Sequence, residues 1–139
     1  MSEPLSKTIA LRQVVSEILT DCVTPPAIDN ETPVPSMKVY YQQAEKEHPS
    51  RYIVYTIDEV LREDERTTYE LEVNVMDYGT DTEPAETLAD TIQATFDKKV
   101  VINNDIGVYF YEDRRNNVTE EDRLIIRRRL TFTTHLYER

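Results

Sequence analysis

The side chains best suited to catalysis or metal binding are few in this chain, which has two histidines and one cysteine. His48 precedes a proline in a polar stretch, and His135 lies on the wet face of a predicted strand. Neither has a Cys or Asp at ligand spacing beside it, although a zinc site needs several such groups. Cys22 falls on the apolar stripe of a predicted helix, which favours a small buried side chain over an activated thiol. We therefore expect no enzyme activity, no catalytic residue and no metal site.

Acidic residues form three clusters that could in principle bind calcium or act as paired acid–base groups. The clusters are Asp58-Glu59, Glu63-Asp64-Glu65 and Glu120-Glu121-Asp122. A calcium loop requires alternating oxygen ligands around a glycine, and none of the three has that form. The chain has only two glycines, which also excludes a glycine-rich phosphate loop. These clusters are predicted to be solvated surface, and no cofactor is expected.

Charge and length limit the class of protein further. The 139 residues carry a formal net charge of −11. Such an acidic chain lacks the Lys and Arg needed for non-specific contacts with nucleic acid phosphates or an anionic membrane. No stretch approaches the roughly 18 apolar residues of a transmembrane helix, and one cysteine permits no intramolecular disulfide. The length predicts one domain over residues 1–139. Because the chain has one cysteine and no signal-peptide pattern, we expect it to be kept in a reducing cytoplasm.

The elements that position these side chains are mainly long strands. Apolar and polar residues alternate along Tyr69-Glu70-Leu71-Glu72-Val73-Asn74-Val75-Met76, the pattern of a strand with one buried face. Similar runs predict strands over 51–61, 67–78 and 124–136, with a shorter one over 37–41. Two short apolar runs, over 100–102 and 108–111, lie on either side of a predicted turn at 103–107. The first two long strands form a predicted hairpin, whose charged tip over 62–66 lacks a turn-forming glycine and is expected to be open. Residues 112–122 are polar and are predicted to form a loop.

Two helices complete the prediction. Residues 5–22 place an apolar stripe along one side (Leu11, Val14, Val15, Ile18 and Cys22). A proline-rich loop follows over 23–36. The second helix begins at Thr82-Glu83-Pro84, where Thr82 or Glu83 can cap it, and carries the stripe Ala85, Leu88, Ala89, Ile92 and Phe96. The predicted class is α+β: a mostly antiparallel or mixed sheet with a long hairpin and two helices on one face.

Arg128 is the exception to the alternation of the last strand. It falls among the apolar positions Leu124, Ile126, Leu130, Phe132 and Leu136. Either a bulge redirects it or it pairs with a buried acid.

Opposite charges are concentrated in different parts of the chain. Residues 58–83 hold ten acids and two bases, whereas residues 114–139 hold seven arginines and four acids. If the strands 67–78 and 123–136 are neighbours, Glu70 and Glu72 can face Arg127 and Arg129 within one chain. Alternatively, the acidic hairpin of one subunit meets the basic strand of the next, a head-to-tail contact that can close into a ring. The candidate interface residues are Arg62, Glu63, Asp64, Glu65, Arg66, Glu70, Glu72, Arg127 and Arg129.

The order of these elements resembles the tail-terminator, or tail-completion, proteins of long-tailed bacteriophages. The features that carry the resemblance are the N-terminal helix with its proline-rich loop, the strand Arg51-Tyr52-Ile53-Val54-Tyr55, the helix segment Ala85-Glu86-Thr87-Leu88-Ala89-Asp90-Thr91-Ile92 and the last strand with Leu130-Thr131-Phe132-Thr133. The resemblance implies a homo-oligomeric ring, typically a hexamer, that caps the tail tube, ends its polymerisation and offers a docking surface to the head connector. It also implies a virion protein, assembled in the host cytoplasm, through which DNA passes without specific binding.

Two other functions fit the same pattern. A head–tail connector or stopper protein would share most of these features. A small cytoplasmic adaptor domain could instead hold a partner on an exposed sheet face or edge.

Overall fold

The computed structural model describes residues 7–24 and 37–138, which form two helices and a six-stranded mixed sheet. The α+β class is therefore confirmed. The elements are α1 (Lys7–Cys22), β1 (Lys38–Tyr41), β2 (Tyr52–Arg62), β3 (Arg66–Tyr78), α2 (Glu83–Phe96), β4 (Val100–Ile102), β5 (Ile106–Val118) and β6 (Ile125–Glu138). The predicted proline-rich loop lies, from residue 25 onwards, outside the described residues.

The sheet has the strand order β1-β2-β3-β6-β5-β4. β1 pairs with β2 in parallel, and the other neighbours are antiparallel. β3 and β6 pair along their whole length, from Arg66 opposite Tyr137 to Tyr78 opposite Ile125, without a register shift. The condition for ion pairs between these two strands within one chain is thus met.

One face of the sheet forms the hydrophobic core, as the alternation of β3 predicts. Tyr69, Leu71, Val73 and Val75 are almost completely buried, whereas Glu70, Glu72 and Met76 between and after them remain half-buried. Because directly opposite residues of an antiparallel pair share a face, Phe132 and Leu130 of β6 lie beside Leu71 and Val73. We name this the core face, and the opposite one the polar face.

α1 is attached to the core face by its apolar stripe and by two tyrosine hydroxyls. The stripe buries Ala10, Leu11, Val14, Val15 and Leu19, while Ile18 and Cys22 are half-buried at the margin of the core. The hydroxyl of Tyr55 donates to the carbonyl oxygen of Arg12 at 3.3 Å and also bonds Ser16 Oγ. The hydroxyl of Tyr69 lies 3.4 Å from Thr8 Oγ1. Both rings can thus stay buried while their polar ends are satisfied.

α2 packs on β5 and β6 mainly through Phe96. Its ring centroid lies 5.0 Å from that of Phe110 and 5.2 Å from that of Phe132, with all three side chains fully buried. The predicted stripe Ala85, Leu88, Ala89, Ile92 and Phe96 is buried as a whole. At the start of the helix, Thr82 makes no side-chain capping bond. Asp81 Oδ1 accepts the Glu83 amide at 3.0 Å instead, so one free amide is satisfied from outside the helix.

Arg128 pairs with an acid, which decides between the two alternatives left by the sequence. β6 has no bulge at this position, and the guanidinium donates through Nε to Glu86 of α2. Glu86 also accepts from Arg115 of β5 at 2.9 Å, and Arg115 contacts Asp90 as well. The side chains of Arg128 and Arg115 are only 12% and 19% exposed. This network of largely buried arginines therefore connects α2 to both β5 and β6.

Two sequence predictions are wrong. Residues 112–118 are not a loop, because β5 resumes its pairing with β6 after a bulge between Glu112 and Arg114. Their polarity fits a strand because Glu112 and Arg115 both bond Gln93 of α2. The hairpin tip is also not open: the Glu63 amide donates to the Arg66 carbonyl at 2.8 Å, which closes a turn around Asp64 and Glu65.

Replacing Thr134 with Val should raise the free energy of unfolding by about 1 kcal/mol. Thr134 is fully buried on the core face opposite Tyr69, and its hydroxyl has no hydrogen-bond partner. Valine keeps the volume and removes the cost of desolvating that hydroxyl. Urea unfolding of both proteins measures the difference. Thr133→Val, on the half-buried polar face, is the matched control and should change stability less.

Replacing Glu86 with Ala should lower the free energy of unfolding by about 2 kcal/mol, because Arg128 and Arg115 would lose their shared carboxylate. The expected loss of stability is smaller than for a fully buried ion pair, because Glu86 is 40% exposed. The control is Glu83→Ala, an exposed position in the same helix turn. Equal stability of the two variants would contradict a structural role for the network.

Candidate functional site

The surfaces that distinguish this molecule are the polar face of the sheet and the two edges of the sheet. Strand alternation places Thr56, Glu72, Asn74 and Arg129 on the polar face, with Tyr109 and His135 towards one end. Within residues 7–24 and 37–138, no group of three or more His, Cys, Asp or Glu side chains is placed to hold a metal ion. In the same residues, no helix has the length and apolar character needed to cross a membrane.

The polar face is crossed by ion pairs that link three strands. Arg129 Nε lies 3.6 Å from Glu72, which is the cross-strand pair that the sequence suggested within one chain. Glu70 contacts Arg114 of β5 at 3.8 Å rather than an arginine of β6. The Arg114 contact was missed because residues 112–122 were predicted to be a loop.

Arg127 has different partners from those considered. Its Nε donates to Asn74 Oδ1 at 2.7 Å, and one terminal nitrogen contacts Glu120 at 3.0 Å. Asn74 is 4% exposed, so this arginine satisfies a buried amide as well as a carboxylate. All four predicted charged residues on this face thus have an oppositely charged partner inside their own chain.

The charged residues of the hairpin form short-range pairs. Arg62 donates to both carboxylate oxygens of Glu59, at 2.7 and 3.3 Å, and Arg66 donates to Glu63 at 3.0 Å. Asp64 and Glu65 occupy the turn and are exposed. The tip therefore presents a net negative charge.

Aromatic side chains cover the end of the polar face next to the tip. Tyr109 stacks edge-on against Tyr137 at a centroid distance of 5.9 Å, and Tyr111 against His135 at 5.7 Å. Tyr109 and Tyr111 are 38% and 45% exposed, which leaves ring surface available for a contact. His135 Nδ1 lies 3.1 Å from Thr68 Oγ1.

A shallow groove crosses the other end of the polar face. Its floor includes Tyr52, Val54, Asn74 and Met76, and residues 42–44 form one wall. Burial raises the pKa of Tyr52, and the nearby Tyr40 and Glu120 raise it further. No local pattern of residues indicates this groove, because it depends on where the connector after β1 folds.

In the part of the chain that the structure describes, strands cover only half of each edge of the sheet. β1 lies beside Tyr52 to Tyr55 of β2 and ends there, so residues 56–62 have no strand on their outer side among the described residues. Val60 and Leu61 in this segment are 65% and 51% exposed. At the opposite edge, β4 covers only Gly107 to Tyr109 of β5. Unpaired strand edges bind other strands readily, so these two segments are candidate interfaces.

The remaining reactive side chains lie apart from one another. Cys22 is a free, half-buried thiol whose pKa is raised by burial, with Thr95 as a hydrogen-bond partner that opposes the shift. His48 is exposed in the connector, where its ring lies 4.1 Å from that of Tyr52. Neither forms a nucleophile–base pair in the described residues.

Comparison with known proteins gives a fold relationship. No protein-family model and no curated protein matches the chain. Twelve chains of solved structures match it. One of them covers 98% of this chain and 97% of its own length, with a TM-score of 0.65 at 15% sequence identity. Its name describes no activity, and at this identity the likeness establishes the fold alone.

The histidine on the polar face should make stability depend on pH. Burial lowers the pKa of His135 below its usual 6.5, and the positive charge of Arg66 lowers it further, while Glu63 opposes the shift. As the pH falls through 6.5, the unfolded chain binds this proton before the folded one does, so stability decreases until the pH passes the folded pKa.

Thermal unfolding between about pH 7.5 and about pH 5.5 measures this effect. His135→Gln should lose part of the decrease in melting temperature that the unmodified protein undergoes. His48→Gln, which alters an exposed histidine, should retain it. An unchanged pH profile in the His135 variant would contradict the assignment.

Proposed function

We propose that this chain is a structural assembly protein of a long-tailed bacteriophage, which forms a ring on the end of the tail tube. The ring ends tube polymerisation and offers the surface on which the head connector docks. The observation that carries the proposal is the pair of edge segments that have no partner strand within residues 7–24 and 37–138, one in β2 and one in β5, on opposite sides of one sheet. We call them the open edge segments. A subunit with two different adhesive edges is suited to head-to-tail association, which closes into a ring when the rotation permits.

The order of the elements supports this function. α1 is followed by a proline-rich segment, the tyrosine-rich β2, its long partner β3, then α2 and the final long strand β6. This is the order on which the resemblance to tail-terminator proteins rests. The tail-tube protein and the head connector are then the partners, and the assembled subunit belongs to the virion.

The proposal includes a mostly antiparallel sheet with both helices on one face. Four of the five strand pairs are antiparallel. Tyr69, which reaches α1, lies opposite Thr134, and Thr134 lies opposite Phe110, which packs against α2. This register supports a common side for the two helices, and it leaves the polar face available for the surfaces of a ring.

The charge of the protein supports passage of DNA without binding. A ring built from subunits of net charge −11 repels phosphate groups at its central opening. We place no DNA-binding residue on this chain. The ring size follows from the resemblance, which implies six subunits.

A second candidate function is a small adaptor domain. The groove over Tyr52, Val54 and Met76 has an apolar floor and polar walls, which suits a peptide segment of a partner protein. A head–tail connector or stopper differs from a terminator in its partners and would use the same edges.

Concentrated protein should form closed rings of one subunit number, visible by negative-stain electron microscopy. Sedimentation velocity over a range of protein concentrations should show the corresponding oligomer. Higher ionic strength should weaken it, because exposed charges contribute to the contact. A protein that stays monomeric at every concentration, alone and with tail tubes, contradicts the proposal. A one-to-one complex with a single cellular protein would favour the adaptor.

A further inference from the structure

The two open edge segments match each other in length. On β2, the segment begins after Tyr55, where β1 ends, and runs over residues 56–62. On β5, Phe110 is the last residue bonded towards the β4 side, since its amide donates to the Lys99 carbonyl at 2.9 Å. The Glu112 amide also faces outwards, 3.4 Å from Asp97 Oδ1. Apart from this one bond at Glu112, residues 112–118 have no partner strand on this side among the described residues, so each segment without a partner strand has seven residues.

The outward-facing backbone groups of the two segments can be identified by alternation. The Tyr55 carbonyl accepts the Gln42 amide at 2.8 Å, on the outer side of β2. Outward groups therefore recur at Ile57 and Glu59, and at Arg62 after the bulge at Val60. On β5, the outward Glu112 is followed by the bulge at Asp113, which places the next outward groups at Arg115 and Asn117.

We propose that β2 of one copy pairs antiparallel with β5 of the next copy, so that the sheet continues from subunit to subunit. The hydrogen-bonded pairs are Ile57 with Asn117, Glu59 with Arg115 and Arg62 with Glu112, whose amide leaves Asp97 Oδ1 to form this bond. Val60 and Asp113 are then the extra residues on their respective strands, as they already are within the subunit. In this register, every outward-facing residue meets an outward-facing residue.

The side-chain faces agree with the same register. Glu59 lies opposite Tyr69, and Arg115 opposite Leu130, so both side chains belong to the core face. Arg62 and Glu112 also share that face, opposite Thr67 and Phe132 respectively. The polar faces of neighbouring copies thus lie on the same side, as repeated head-to-tail addition requires.

Charge complementarity favours this pairing over contact between two β2 edges. Arg62 exchanges its intrachain partner Glu59 for Glu112, and Glu59 comes to lie opposite Arg115, which also contacts Glu86 and Asp90 of α2. An antiparallel β2–β2 contact centred on Asp58 would instead place the Asp58 carboxylates of two copies directly opposite each other, which is destabilising. Leu61, which is 51% exposed in the free subunit, comes to lie beside the aliphatic stem of Arg114. This inference rests on the proposed ring, for which it supplies the contact between subunits.

Disulfide trapping tests the register directly. Asp58 and Asn116 are opposite each other as a non-hydrogen-bonded pair on the polar face, where Cα atoms approach to about 4.5 Å. In a Cys22→Ser background, Asp58→Cys mixed with Asn116→Cys should give a disulfide-linked dimer as the main oxidised product. Each variant alone should stay mostly unlinked. The control is Asp58→Cys mixed with Tyr111→Cys, whose exposed position lies more than about 10 Å out of register.

A charge exchange provides a second measurement. Arg62→Glu should weaken self-association by about tenfold, equivalent to 1.4 kcal/mol. The same change combined with Glu112→Arg should restore it, because the pair is then reversed. Sedimentation equilibrium measures both proteins. Failure of the double variant to recover would count against this contact.

The possible outcomes distinguish failure of the proposed β2–β5 pairing from failure of the proposed function. Rings in the microscope without the Asp58–Asn116 disulfide would overturn this pairing and leave the proposed function standing. A disulfide chiefly between two Asp58→Cys copies would replace it with a two-fold β2 contact. Absence of any association, with or without tail tubes, would overturn both proposals.

Discussion

The unbroken pairing of β3 with β6 is the constraint on which the rest of the fold depends. The two strands occupy the middle of the sheet and remain in register from Arg66 to Tyr78. Because side chains alternate with a period of two, a slip of one residue would move the whole apolar set from the core to water. Both bulges lie on the strand pairs next to the β3–β6 pair, β2–β3 at Val60 and β5–β6 at Asp113, where they bend the sheet without disturbing this central register.

α2 is held on this central pair by two different kinds of contact. Phe96 packs between Phe110 and Phe132 at one end, and Glu86 joins Arg115 and Arg128 at the other. The aromatic contacts supply apolar burial, whereas the ionic contacts have directional requirements that only one orientation of the helix meets. Arg115 has a second importance, because it belongs to the open segment of β5. The position of the β5 edge therefore depends on the position of α2.

The sequence predicted those elements whose own pattern carries the information. The alternation from Tyr69 to Met76 and the stripe ending in Phe96 each require one buried side, and both were placed correctly. Residues 112–118 could not be predicted, because their polar side chains are satisfied by Gln93 and Glu86 of α2, which are distant in sequence. The sequence also could not identify the partner of Arg128, because Glu86 lies 42 residues away on another element.

The candidate surfaces were predictable only in part, for a related reason. The pair Glu72–Arg129 follows from the proximity of two long strands of opposite charge. The open edges do not follow from any local pattern, because they depend on the short length of β1 and β4 relative to the strands they cover. Whether a strand edge is exposed depends on how the strands are arranged in the sheet. The residue preferences along the chain carry no information about that arrangement.

The paired bulges have a consequence for selectivity in a crowded cell. A regular foreign strand that adds to β2 would satisfy Ile57 and Glu59 and then meet Val60, where its alternation no longer matches. Only a strand with a compensating irregularity at the corresponding position can continue past that point. In the pairing of copies that we propose, the same irregularity that makes each edge a poor template for unrelated polypeptides would favour identical ones.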